Sequence, residues 1–325
     1  IYKCIYIIIS IGDCMKEEIT YKSSDGITNI HAIIWRPTTE VKAIVQISHG
    51  MVEHIERYSF FANSLNKRGI LVCGNDHLGH GYSVSSKANY GYFAKKDSPK
   101  ILVDDLYFLT KIMKEKYPNT PHFLLGHSMG SFIARNYLTY YSDSLTGAII
   151  VGSGHKSKAL MNIALIITTI TQFYHHGWFY RSPFLYKMTN GSFHKRFEEG
   201  KENPLCWLTS DATIINEYRN NPLSNFKFTC NGYSTLFKLI KRAGNKKHAK
   251  KIRKDLPMLI LSGKDDPVGN FGKDIYLIEK LYKKSGLTKV NIKLYNGMRH
   301  ELINEKNNIL PITDIINFIE EKREN

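Results

Sequence analysis

From residue 29 onward, short β-branched apolar runs alternate with longer stretches whose apolar residues recur at helical spacing. HAIIWRP (31–37) and KAIVQISHG (42–50) read as strands, and the near-continuous apolar character of the second is the pattern of a strand buried on both faces. The spacing predicts a helix from Tyr58 to Arg68, closed by Gly69, and then a strand at ILVCGND (70–76). A long amphipathic helix follows over 97–117 and stops at Pro118. HFLLGHS (122–128) is a strand running into a turn, Ser131–Tyr141 a helix, and GAIIVGS (147–153) a strand. From 154 to 250 the spacing is helical and no strand pattern stands out. Alternation resumes with a strand at PMLILSG (257–263), a helix around Ile275–Lys284, a strand at KVNIKLYNG (289–297) and a last helix ending near Arg323.

Strand–helix alternation builds a mostly parallel sheet with helices on both faces. The expected class is α/β, with a core made of residues 15–153 and 251–325. Residues 154–250 are expected to form a helical cap insertion and a basic return segment. No repeat or Pro/Gly/Ser linker divides the chain. The first fourteen residues fit neither part: IYKCIYIIISI is apolar but too short to cross a bilayer, and Asp13 stands where a leader cleavage site needs a small residue. MKEEITYKSSDG, beginning at Met15, reads as an ordinary start, so residues 1–14 are expected to be an upstream or non-native extension.

Composition narrows the class without deciding it. A chain of 325 residues with 42% hydrophobic and 23% charged residues excludes a disulfide mini-protein and a disordered tail. Forty-five Lys+Arg against 29 Asp+Glu give +16, a balance that attracts anionic partners in general. KRAGNKKHAKKIRK (241–254) concentrates that charge; a solvated helix face is its ordinary reading and docking on anionic lipid its functional one. No recognised nucleic-acid motif accompanies the charge, so nucleic acid is not an expected partner. The cysteines (Cys4, Cys14, Cys73, Cys206, Cys230) are odd in number and scattered, which points to reduced thiols in a cytosolic protein rather than to disulfides or zinc.

The most specific local signal is Gly126-His127-Ser128-Met129-Gly130, a G-x-S-x-G between a predicted strand and a predicted helix. A serine on so sharp a turn projects its Oγ above the sheet, and the glycines leave room where a Cβ would collide. The Met129 amide, at the positive end of the following helix, is placed to stabilise an oxyanion. A serine nucleophile needs a base and an orienting acid, here expected in the order Ser, Asp, His. Asp265 and Asp266 follow the strand PMLILSG, and Asp266 is preferred because Pro267-Val268 continues it as such acid loops run. His300 follows the last strand. The loop after QISHG, His49-Gly50-Met51-Val52-Glu53-His54, supplies a second oxyanion donor in the Met51 amide. His49, His54, Asp76, His77 and His80 are more simply backbone-bonding turn residues than metal ligands, and no metal is expected.

HGMVEHIERY, NDHLGHGYS, FLLGHSMGS, NEYRNNPLS, SGKDDPVGN and YNGMRHELINE occur in the order found in monoacylglycerol lipases and bacterial lysophospholipases, α/β-hydrolases of the serine-hydrolase class. The chain resembles that family over roughly residues 15–323. The resemblance implies a triad of Ser128, Asp266 and His300, and an oxyanion hole at the Met51 and Met129 amides. It implies a polar head subsite near Glu53, Arg57 and the cap residue Tyr218. It also implies hydrolysis of the acyl ester of single-chain lipids without a cofactor. The apolar stretch ALMNIALIITTITQFY (159–174) would then belong to a cap helix, lining an acyl tunnel and a membrane-facing lip. One departure stands out: Ile303 occupies the place of a second histidine that the mammalian glycerolipid enzyme carries three positions after its catalytic one. The lysophospholipase pattern therefore fits at least as well. Competing expectations on the same fold are an aminopeptidase, an acyltransferase and a non-catalytic lipid-binding protein.

Overall fold

A computed structural model describes residues 7–11 and 14–324. Its strands are β1 (Ile7–Ile11), β2 (Cys14–Lys22), β3 (Asn29–Pro37), β4 (Ala43–Ser48), β5 (Ile70–Asn75), β6 (His122–His127), β7 (Gly147–Val151), β8 (Met258–Gly263) and β9 (Val290–Tyr295). They form one sheet in the order β1-β2-β3-β5-β4-β6-β7-β8-β9. The pairs from β1 to β3 and from β3 to β5 are antiparallel, and every pair from β5 across to β9 is parallel. The expected α/β class holds.

The strand sequences explain the two-sided core. Ala43, Val45 and Ile47 of β4 join Phe123 and Leu125 of β6 and Leu259 and Leu261 of β8 on one face. Ile44, Leu124, Met258 and Ile260, one position out of step, face the other side. Alternation with both faces apolar demands helices on both. The first face is covered by α1 (Ser59–Asn66) and, from the end of the chain, by Ile309–Arg323. The other is covered by α2 (Ser98–Lys116), α3 (Met129–Tyr141) and Lys273–Lys283.

Between β7 and β8 the chain runs through α4 (Lys158–Tyr174), α5 (Pro183–Asn190), α6 (Ala212–Asn220), α7 (Cys230–Ala243) and α8 (Lys246–Ala249), with no strand among the described residues. Helices α9 (Lys273–Lys283) and α10 (Ile309–Arg323) complete the chain. The fully buried Arg135 of α3 clamps this helical segment to the core: it donates to the Tyr282 hydroxyl at 3.0 Å, the Gly154 carbonyl at 2.9 Å and the Ala243 carbonyl at 3.1 Å.

The amino-terminal region holds a strand that the sequence pattern does not predict. Ile19 and Tyr21 are buried and make Cys14–Lys22 a full strand against β3, while Lys16, Glu17, Glu18 and Thr20 mask the pattern in the sequence. Of the expected extension, Ile7–Ile11 pairs with β2 as an antiparallel edge strand; residues 1–6, 12 and 13 lie outside the described residues.

Candidate active site

Ser128 ends β6 and opens α3 with φ 52° and ψ −120°, a conformation non-glycine residues rarely adopt and one that costs about 1–3 kcal/mol. Its amide donates to the Val151 carbonyl at 3.0 Å, and its carbonyl accepts from the Ser131 hydroxyl. The two glycines make the turn physically possible. A Cβ on Gly130 would stand 1.9 Å from the Ser48 carbonyl oxygen, and one on Gly126 would stand 2.6 Å from the Gly130 carbonyl oxygen.

The loops after β8 and β9 bring the acid and the imidazole together. His300 Nδ1 lies 3.0 Å from Asp266 Oδ2, and both residues are buried. Asp266 Oδ1 accepts from the Val268 amide at 2.9 Å, which fixes the carboxylate. Asp265 is half-buried and takes no part in this contact. With Nδ1 engaged, Nε2 of His300 is buried and has no hydrogen-bond partner among the described residues. A donor on Nδ1 and an open acceptor on Nε2 is the tautomer that can take a proton from a hydroxyl.

Ser128 and His300 line a common cavity of about 1030 Å³ under the helical segment. Gly50, Met51, Glu53, Trp207, Tyr218 and Phe228 are among its walls. The His300 loop is pinned to its roof, because the Glu301 amide donates to the Leu208 carbonyl at 2.7 Å. Met129 is buried at the first turn of α3, and Met51 is half-buried in the loop after β4.

In the cavity wall and behind it lies a charge network; the sequence pointed to Glu53 and Arg57 but not to their pairing with His127 and Glu301. Glu53 accepts from the Gly50 amide, from the Tyr58 hydroxyl at 3.1 Å and from Arg57 at 2.6 Å, and sits 3.2 Å from His127 Nδ1. Arg57 also grips Glu301 with both terminal nitrogens, at 3.1 and 2.8 Å. Burial opposes the charged form of Glu53, but the His127 hydrogen bond and the Arg57 charge overcome it and hold the carboxyl well below its ordinary range. Burial also opposes the charged form of His127, and its contact with Glu53 overcomes that and raises its pKa. Arg57 does not line the cavity of Ser128; it lies behind Glu53, with its guanidinium 4.9 Å from the centre of the Tyr218 ring, and lines a smaller pocket with His54. Of the three residues expected at a head subsite, Glu53 and Tyr218 reach the cavity and Arg57 supports them from outside it.

The histidines near His49 make backbone and side-chain bonds. His49 accepts from the His77 amide at 2.9 Å, and His77 Nε2 lies 3.0 Å from the Ser48 hydroxyl. Asp76 bonds His31 at 2.8 Å and accepts from the Ile55 amide at 2.8 Å. Among the described residues no group of three His, Cys, Asp or Glu side chains is arranged to hold a metal ion.

Residues 39–307 match the hydrolase family described as serine aminopeptidase, S33. The chain belongs to this family. A monoglyceride lipase homolog of monkeypox virus is 26% identical over 280 residues, covering 86% of this chain and 89% of the viral protein. Human monoglyceride lipase is 39% identical over 100 residues, 31% of each chain. A thermostable carboxyl esterase from Bacillus coagulans, solved in complex with glycerol, superimposes with a TM-score of 0.86 at 28% identity, covering 95% of this chain and 99% of that one. The resemblance carried by the six sequence motifs is upheld: this S33-family chain is an α/β-hydrolase of the monoacylglycerol lipase type, a carboxylic ester hydrolase by class.

Proposed function

We propose that the chain hydrolyses the acyl ester of single-chain lipids, monoacylglycerols or lysophospholipids, through Ser128, His300 and Asp266. The observation that carries this is the unpartnered Nε2 of His300, facing a cavity it shares with the strained Ser128 while its Nδ1 is held by Asp266. His300 takes the Ser128 proton as Oγ attacks the ester carbonyl, and the Met51 and Met129 amides stabilise the oxyanion. The protonated imidazole gives its proton to the leaving alkoxide. Water then attacks the acyl-enzyme, His300 again taking the proton, and the fatty acid leaves. Burying ten methylenes of an acyl chain is worth about 8 kcal/mol, which supports a lipid over a small ester.

The family description keeps an aminopeptidase in view. Such an enzyme must grip a free α-amino group with a carboxylate, and the two carboxylates of the cavity wall, Glu53 and Glu301, are already paired with Arg57. That favours the ester.

The lipid reading extends to the surface. Leu160, Ile163, Ile166, Ile170, Phe173 and Tyr174 of α4 are exposed. Between Asp143 and Glu198 the chain has no acidic residue but carries Lys156, Lys158, Arg181, Lys187, Lys195 and Arg196. An apolar helix face flanked by cations supports docking on an anionic membrane. No helix among the described residues is long and apolar enough to cross one.

The test is fatty-acid release from monoacylglycerol and lysophosphatidylcholine of equal chain length, by wild type and Ser128→Ala. Ser128-dependent release from either is expected. Release from neither, with cleavage of aminoacyl amides instead, overturns the reading in favour of the peptidase. Sedimentation with anionic vesicles at low and high salt tests the docking, which fails if binding is absent or indifferent to salt.

A further inference from the structure

The charge on the cavity wall is lopsided. Its acidic members, Glu53 and Glu301, are both tied to Arg57. Its Lys and Arg members are Lys87, Arg181, Arg219 and Lys227, and none of the four pairs with a carboxylate among the described residues. Three of them sit on segments that pack against one another. Arg181 Nη2 donates to the Ala88 carbonyl at 2.9 Å and the Tyr90 carbonyl at 2.8 Å, which ties the segment bearing Lys87 to its own. The Tyr90 ring packs 5.1 Å from that of Phe226, the neighbour of Lys227. The Lys227 ammonium lies 5.9 Å from the centre of the Tyr186 ring, five residues beyond Arg181. Segments far apart in sequence thus meet on one wall, each bringing a cation and none an acid.

Like charges gathered at a cavity repel one another unless an anion lies among them, and such a wall raises the local concentration of anionic ligands. We propose that this wall binds the phosphate of a single-chain lipid and makes the enzyme select anionic head groups over a neutral glycerol. The proposal rests on the ester-hydrolase reading above and narrows its substrate class to lysophospholipids of net negative charge. A phosphate monoester, as in lysophosphatidate, presents three terminal acceptor oxygens, enough to engage cations from three segments at once, whereas a carboxylate or a phosphodiester presents two, so the monoester is the preferred member of this class. Arg181 also bonds the 88–90 backbone, so Lys87 and Lys227, both exposed, are the residues to change.

The experiment has a binding arm and a turnover arm, both on the full chain. Calorimetry on Ser128→Ala compares dodecyl phosphate, 1-O-dodecylglycerol and dodecanoate, each below its critical micelle concentration, with and without Lys87→Gln and Lys227→Gln together. Dodecyl phosphate is expected to bind roughly tenfold or more tighter than dodecylglycerol, and added salt should narrow that gap. The double substitution should remove most of it. Equal binding of the two ligands overturns the proposal, as does a gap the double substitution leaves intact. Dodecanoate binding as tightly as dodecyl phosphate also overturns it, since the wall would then serve the product carboxylate. In the turnover arm, equal kcat/KM for monoacylglycerol and lysophosphatidate, both Ser128-dependent, sinks the proposal and leaves the ester reading standing. Cleavage of neither sinks the ester reading, and the binding arm then decides the wall's charge preference by itself.

Discussion

Replacing Glu53 by Gln probes the support beneath the candidate active site without changing its shape. The wild-type carboxylate is 3% exposed and receives donors from Gly50, Tyr58 and Arg57, with His127 at 3.2 Å. A neutral amide can accept at one atom only, and its NH₂ turns toward a donor. Arg57 retains both bonds to Glu301, so it is not stranded. What is lost is one hydrogen bond of Arg57 and the charge that stabilises protonated His127. Hydrogen bonds to charged groups are worth about 1.5–3 kcal/mol each, so a loss of about 3 kcal/mol in unfolding free energy is expected near pH 6. The pH dependence follows from the two shifts. Glu53 is lowered in the fold, so its contribution is present above its unfolded value of about 4.3 and disappears as pH falls through the folded one. His127 is raised, so its contribution is complete below about 6.5 and disappears as pH rises through the folded value. The destabilisation should therefore be largest between about pH 5 and 6.5 and smaller at pH 9, where the Arg57 part alone remains. Urea unfolding of both proteins across this range measures it. Because Glu53 also holds the Gly50 amide, next to the proposed oxyanion donor Met51, kcat should fall roughly tenfold or more with KM little changed. A loss of stability below about 1 kcal/mol at pH 6, or one equal at pH 6 and pH 9, would refute the reasoning.

Asp266→Asn should keep the fold, because Asn can still accept from the Val268 amide, while reducing kcat by roughly 10⁴ through the wrong His300 tautomer; stopped assays together with a thermal melt check both halves. Asp105, 1% exposed, has its carboxyl pushed up to about 6 by burial despite bonds from Ser23 and Ser24. Its folded value exceeds the unfolded one, so wild type loses stability as pH rises from about 4 to 6; relative to wild type, Asp105→Asn should gain about 3 kcal/mol between pH 4 and pH 7.5, and a flat difference in urea unfolding would exclude it. Gly130→Ala drives a methyl into the Ser48 carbonyl and should cost about 3 kcal/mol or more, read as a large drop in Tm with loss of Ser128 labelling by a fluorophosphonate.

How legible a feature was depended on how local its physics is. The parallel strands were legible because burial on both faces writes a continuous apolar run, as in Ala43–Ser48 and Met258–Gly263. Strand β2 was not, because it lies near the antiparallel margin, where Lys16, Glu17 and Glu18 interrupt the pattern that Ile19 and Tyr21 would otherwise show. The turn at Ser128 was legible for a similar reason: its geometry needs glycine at Gly126 and Gly130, and the need is met within five residues. Asp266 and His300 each follow a predicted strand, so parallel order alone carried them to one edge of the sheet.

The Arg57–Glu301 pair spans 244 residues, and nothing in either local sequence announces the other. Lys87, Arg181 and Lys227 are likewise three unremarkable surface cations until the loops that bear them meet. The same division separates reaction from substrate. The atoms that attack an ester are fixed by local backbone geometry, so motifs report them. The atoms that choose among esters sit on loops and cap helices, whose relation to the nucleophile is set only by long-range packing. Charge pairing is then the evidence with most bearing on the head group. Here the cavity's acids are already neutralised and its cations are not, and a ligand that completes the pairing carries negative charge.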